Sequence, residues 1–149
     1  MKKFTFSLQP LLAYKRTLEN QQKGALAEAQ GALRRLQALH RAVLEQIERT
    51  GAELEHRLDG GSRADDLRAY SFYLHHLGER RLALEAQIRE AVQAVRACQE
   101  ALVLTMKELK ALERLRQEQY QRYLEELRAE EAKEIGDLVS FRTIAGQSD

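Results

Sequence analysis

Leu58-Asp59-Gly60-Gly61-Ser62-Arg63-Ala64-Asp65-Asp66, LDGGSRADD in one-letter code, contains the only double glycine in the chain. Glycine reaches the left-handed backbone conformation that ends a helix, and Ser62 or Asp65 offers an oxygen suited to capping a new one. The stretch therefore reads as a sharp bend. Upstream of it, apolar or small side chains recur every three or four residues: Leu26, Ala29, Leu33, Leu36, His40, Val43, Ile47, Thr50 and Leu54. Leu39, Leu44 and Leu58 are expected to widen that stripe. Downstream a second series runs from Leu67 through Tyr70, Leu74, Leu77, Arg81, Leu84, Ile88, Ala91, Val95, Cys98, Leu102, Thr105 and Leu109 to Leu112. Sustained spacing of this kind, with charge on the other faces, is the pattern of a coiled coil.

At the front, Ser7 can cap and Pro10 falls in a first helical turn, where its missing N–H costs little. The predicted order is helix 1 over about residues 8–58, a turn at 59–62, helix 2 over about 63–135, and a flexible tail at 136–149. A turn this short makes neighbouring helices antiparallel. The expected fold is all-α, one long two-helix antiparallel coiled-coil hairpin whose second helix is the longer. Folding at the double glycine pairs residues whose numbers add to about 121. The small stretch Gly24–Ala32 then faces Ala91–Ala97, which predicts a closer helix approach there.

Composition supports this and removes other classes. Charged residues make up 32% of the chain, with one proline and no tryptophan, and Leu, Ala, Glu, Arg and Gln dominate. These residues lose least on entering a helix, and together they suit a narrow seam better than a thick core. The net charge of +1 gives no reason to expect nucleic acid. Cys98 is the only cysteine, so no intrachain disulfide or thiolate zinc site is expected. No apolar run approaches the roughly 20 residues that span a bilayer, so direct membrane insertion is not expected. The start lacks a continuous apolar core with a small-residue cleavage site, so a targeting role is not expected either.

Glu45 and Arg49, Glu53 and Arg57, Glu85 and Arg89, and Glu118 and Arg122 are Glu-first i,i+4 pairs. Each contributes about 0.2–0.5 kcal/mol to an exposed helix face. No nucleotide loop, nucleophile elbow or zinc-protease motif is present. His75 and His76 are adjacent and point about 100° apart on a helix, so they do not share a metal by i,i+4 geometry. No enzyme activity, cofactor or metal is expected. His40 and Cys98 read as seam residues, and Gly24, Gly31 and Gly51 as tolerated soft spots.

Two apolar features exceed what the seam needs. The lead-in MKKFTFSLQPLLAYKR (1–16) alternates Phe4, Phe6 and Leu8 with polar residues before Pro10, Leu11 and Tyr14. By the pairing rule, helix 2 outruns helix 1 by about 20 residues, roughly 30 Å. That overhang carries Leu115, Tyr120, Tyr123, Leu124 and Leu127, with only Phe4 and Phe6 available to cover it. An apolar helix face without an internal partner marks an interaction site. Near the bend, LRAYSFYLHHL (67–77) holds Tyr70, Phe72 and Tyr73. Tyr70 and Leu77 fit a hairpin plug, while Phe72 points away and Tyr73 sits at the edge, as interface aromatics do.

The opening FTFSLQPLLAYKR (4–16) resembles the F-x-F-x-L-x-P-L-L-x-Y-[RK] start of the FliJ flagellar export family. The element of Tyr70, Tyr73 and Leu77 and the close LERLRQEQYQRYLEELRAEEAKEIGDLVSFR (112–142) are similar to it as well. Gly136 stands where that family commonly has an acid. The resemblance implies a non-enzymatic stalk of the flagellar type III export apparatus. Its paired chain ends enter the pore of a hexameric export ATPase, and its other part reaches the cytoplasmic domain of the membrane export gate. It also implies contact with export chaperones, and a cytoplasmic protein peripherally associated with the membrane at the flagellar base. Carried onto this chain, the ATPase-facing residues are Phe4, Phe6, Pro10, Leu11, Tyr14, Tyr120, Tyr123 and Leu127. The gate-facing residues are Tyr70, Phe72, Tyr73 and Leu77. Other classes fit parts of the pattern: a virulence-type secretion stalk, a self-associating coiled coil, and a nucleic-acid-binding arm, which would want a basic stripe.

Overall fold

The computed structural model describes residues 2–147. It contains two helices, α1 (Gln9–Asp59) and α2 (Ala64–Gln147), and no strand among the described residues. They pack against each other as an antiparallel hairpin, and α2 is the longer by far: 84 residues against 51. The packing divides into two units, Asn20–Val103 and Met1–Glu19 with Leu104–Asp149.

The bend is built as the glycines suggest, but only one of them is in the left-handed region. Gly61 has φ 72°. The Ser62 N–H donates to Arg57 O at 3.1 Å, and the Gly61 N–H reaches toward Leu58 O at 3.4 Å. Those two bonds close a Schellman motif and satisfy carbonyls that the end of α1 leaves open. Gly60 continues the helical turn, its N–H donating to His56 O at 3.1 Å. A Cβ at Gly60 would lie 3.4 Å from that carbonyl oxygen, an ordinary contact. On the far side, Asp65 and Asp66 fall inside the first turn of α2, where carboxylates favour the positive end of the helix dipole.

Within the unit Asn20–Val103, all the seam residues read from the sequence between Leu26 and Leu102 are buried or half-buried. Val43, Thr50, Leu77 and Leu84 are the most enclosed. Leu39, Leu44 and Leu58 do not widen the stripe; all three are exposed. The reason is angular: each stands one residue off the alternating 3-4 register that runs through His40, Val43 and Leu54, and so flanks the seam. The glycines of the small-residue stretch do not mediate close approach. A Cβ at Gly24 would meet nothing within 4 Å, and one at Gly31 would meet only Arg34 and Arg35 of its own helix.

A polar layer interrupts the seam. His40 Nε2 lies 3.2 Å from Glu85 Oε1, and Arg81 Nε lies 3.8 Å from the same oxygen. Glu85 thus faces α1 and Arg81 rather than the expected Arg89. Polar groups at seam positions fix register, because any slip strands them against apolar neighbours. The contacts Tyr70–Glu53, Gln46–Tyr73 and His40–Glu85 all fall within a few residues of the register set by the bend. Of the expected surface ion pairs, Glu45–Arg49 closes at 3.6 Å.

The unit formed by the chain ends has its own core. Leu12 is fully buried (0% exposed), Phe6 is 6% exposed, and both pack with Leu109. Phe4, Leu8, Leu112 and Leu115 close around them. Lys15 pairs with Glu108, and Arg16 with Glu113 at 3.6 Å. Helix α2 does not stop at residue 135. It continues to Gln147, with Gly136 in helical conformation. A single glycine inside a helix costs about 1 kcal/mol relative to alanine, which slows propagation without stopping it. Stopping a helix takes a left-handed residue and rebonded carbonyls, as at Gly61. Residues 148 and 149 of the expected tail lie outside the described residues.

The two bend glycines are therefore separable. Gly61→Ala is expected to lower stability by roughly 1–2 kcal/mol, the cost of a left-handed Cβ. Gly60→Ala is expected to change it by less than about 0.5 kcal/mol. Urea unfolding followed by circular dichroism reads both, and equal effects would reassign the bend.

Candidate functional site

The lead-in folds back as a clasp on the expected overhang. Residues 2–6 have no regular structure, and the first turn is joined to them by the Gln9 N–H donating to Phe6 O at 3.0 Å. Phe4 meets Tyr120 edge-on with ring centroids 5.2 Å apart, and meets Tyr123 at 5.6 Å. Tyr120 and Tyr123 stack at 6.2 Å. Offset and edge-on contacts of this kind bring the positive ring edge to a negative ring face. The Arg116 guanidinium sits 5.9 Å from the Phe4 ring centre, and Tyr123 Oη donates to Lys2 O at 2.7 Å.

This geometry divides the eight residues carried over as ATPase-facing. Phe6 is core, and Phe4, Tyr123 and Leu127 are half-buried under or beside the clasp. Pro10, Leu11, Tyr14 (60% exposed) and Tyr120 face outward. The expectation that the Leu115–Leu127 face lies bare is thus overturned: only Tyr120 among its five named residues is classed as exposed. Phe4 packs on Tyr120 and Tyr123, and Leu115 closes on the core of Phe6, Leu12 and Leu109.

The uncovered apolar face begins further on. Every residue from Arg128 to Gly146 is exposed. Ile135, Leu138, Val139 and Phe141 are 58–70% exposed, and Ile144 also faces outward. The sequence places the part up to residue 135 in helix 2 and expects a flexible tail from 136, so only the helical state of 136–147 departs from expectation. The available signal was the 3-4 spacing of Leu127, Glu131, Ile135 and Leu138, which carries the seam face of α2 through that glycine.

The second candidate surface lies in the other unit, on the turns after the bend. Tyr70 is half-buried, its hydroxyl 3.4 Å from Glu53 Oε2 and its ring 5.2 Å from the Arg57 guanidinium. Leu77 is buried in the seam. Both act inside the hairpin and cannot offer a partner much area. Tyr73 is exposed, with its hydroxyl accepting from Gln46 Nε2 at 3.4 Å, and Phe72 is 78% exposed. A shallow depression beside Phe72 is lined by Leu67, Arg68 and Ser71.

Among the described residues no group of three or more His, Cys, Asp or Glu could hold a metal ion. His75 instead pairs with Glu79 at 3.2 Å. Cys98 is a half-buried seam residue. No helix there is long and apolar enough to cross a membrane.

Apolar area held outward on a helical frame is how a coiled-coil protein binds other proteins, and that is the class the fold and its two surfaces define. The family follows from comparison. The model of the Flagellar FliJ protein family matches residues 4–148, nearly the whole chain, and the chain belongs to that family. This makes it a structural component of flagellar protein export. No curated protein and no solved structure matches the chain.

The clasp residues are expected to act on stability before they act on binding. Phe6→Ala is expected to cost about 3–5 kcal/mol, the usual price of an emptied aromatic core position. Tyr14→Ala is expected to stay within about 0.5 kcal/mol of the parent. Thermal unfolding distinguishes the two, and a silent Phe6→Ala would show that the lead-in is not packed on α2.

Proposed function

We propose that the chain is the stalk of the flagellar export ATPase: its paired chain ends enter the hexameric ring, and the hairpin bend faces the cytoplasmic domain of the membrane export gate. The observation that carries this is the run of α2 beyond the clasp, where Ile135, Leu138, Val139 and Phe141 project from a helix that no other described residue covers. A lone helix is marginal in water, since most helical stability in proteins comes from packing an apolar face. A ring that surrounds the segment supplies that packing. A single helix pair in a sixfold ring cannot make six equal contacts, so the engagement is asymmetric or alternating.

The ring-facing surface, in this reading, comprises Leu11, Tyr14, Tyr120 and the end of α2. Phe4 and Phe6 hold the lead-in in place rather than meet the ring. The gate-facing surface comprises Phe72 and Tyr73, with Tyr70 and Leu77 supporting them from within. Export chaperones are further partners under this reading, which puts the chain on the cytoplasmic side at the flagellar base.

Leu138→Asp with Phe141→Asp is expected to lower stimulation of the cognate export ATPase at least about tenfold while leaving the unfolding midpoint of the hairpin unchanged. Phe72→Ala with Tyr73→Ala is expected to weaken binding to the gate's cytoplasmic domain and to leave ATPase stimulation alone. Normal stimulation by the first variant would remove the end of α2 from the ring. Loss of ATPase stimulation by the second would reverse the proposed direction.

A further inference from the structure

The distal part of α2 carries a charge pattern that its apolar face does not explain. Between residues 125 and 142 there are six acids, Glu125, Glu126, Glu130, Glu131, Glu134 and Asp137, against three bases, Arg128, Lys133 and Arg142. Among the described residues, none of those acids is in an ion pair. Glu126 with Glu130, and Glu130 with Glu134, are like charges at i,i+4, each of which weakens an isolated helix by a few tenths of a kcal/mol. Opposite charges at i,i+4, Arg122 with Glu126 and Lys133 with Asp137, offset part of that repulsion, and the segment keeps an excess of three acids. A partner of opposite charge turns the same repulsion into attraction.

The place where such a partner would begin is visible. Just past the clasp, a shallow notch is lined by Lys2, Tyr123, Glu126, Leu127 and Glu130. It sets two carboxylates one turn apart beside an aromatic ring; with Lys2 of the same chain also in the lining the notch stays net acidic, a fit for the guanidinium or ammonium of another protein. Beyond it, the exposed Ile135, Leu138, Val139 and Phe141 follow on the same helix.

We propose that this segment seats in a protein socket with an apolar interior and a mouth lined by lysine and arginine, the mouth meeting Glu126, Glu130 and Glu134. The proposal rests on the reading of the chain as the stalk of an export ATPase and specifies the surface that ring must present. Charge argues against two other occupants. Helices that lie on membranes carry basic residues on their polar face, and the cytoplasmic leaflet is itself negative. A parallel copy in register would place Glu131 against its own counterpart, between Leu127 and Ile135. An antiparallel copy would share only the short apolar stretch from Ile135 to Ile144, about three helical turns, against the roughly 1,200 Å² that a stable interface buries.

The test is binding of the full-length chain to the cognate hexameric ATPase at low and high salt. Wild-type affinity is expected to fall as salt rises, because screening weakens exposed pairs across a Debye length of about 10 Å at 0.1 M. Glu126→Gln with Glu130→Gln and Glu134→Gln is expected to bind about tenfold more weakly at low salt and to lose most of the salt dependence. Circular dichroism checks that the triple variant folds, and removing like charges favours its helix. Equal affinity and an equal salt response of variant and wild type would overturn the proposal while leaving the stalk reading intact. Failure of the wild-type chain to bind at all would sink that reading and this one together. Wild-type sedimentation as a dimer that Leu138→Asp dissolves, or adsorption to vesicles of anionic phospholipid, would overturn the proposal by naming a different occupant.

Discussion

The apolar stripe of α2 is longer than anything in the chain that can cover it. A helix keeps its shape in water largely by burying one face. Here that face has three successive settings. Next to the bend it is covered by α1, through the seam centred on Val43, Leu77 and Leu84. Nearer the chain ends it is covered by the start of α1 and by the lead-in, through Leu12, Phe6 and Leu109. After Leu127 no described residue covers it, and Ile135, Leu138, Val139 and Phe141 stand in the open.

The lead-in shows how little chain is needed to extend such cover. Residues 2–6 make no helix, yet Phe4 and Phe6 bury apolar area that a further turn of α1 would otherwise have had to supply. The aromatic contact of Phe4 with Tyr120 and Tyr123, and the Tyr123 hydroxyl bond to Lys2 O, set where the cover ends. Residues that look adhesive in the sequence are thus partly consumed at home. In the proposed stalk role, the surface left for a partner is Leu11, Tyr14 and Tyr120 on the clasp's outside and the end of α2.

Much of this was legible in the sequence because helical periodicity is a local property. The series from Leu26 to Leu54 and from Leu67 to Leu112 named the seam residues, and the double glycine located the bend within a residue or two. Three things were not legible. Which glycine takes positive φ depends on the bonds made by Ser62 and Gly61, and those form only once the chain turns. Whether Phe6 faces inward depends on where an extended segment lies against a helix more than a hundred residues away in sequence. The end of α2 is the third: Gly136 keeps a helical conformation, and the helix runs on to Gln147 although Asp137, Val139 and Ser140 beyond it are weak helix formers. In the tip element the sequence separated Phe72 from Tyr70 correctly, since a seam of known spacing leaves only one side free.

Beyond the clasp α2 is an uncovered helix in the free chain, and the proposed stalk role requires it to be covered in the export machinery. Amide hydrogen exchange on the full-length chain, alone and with its hexameric ATPase, tests that most directly. Rapid exchange is expected across residues 128–146 in the free protein, slow exchange at the Leu12 and Val43 layers, and strong protection of 128–146 in the complex. Protection of that segment already in the free chain, or none in the complex, would contradict it.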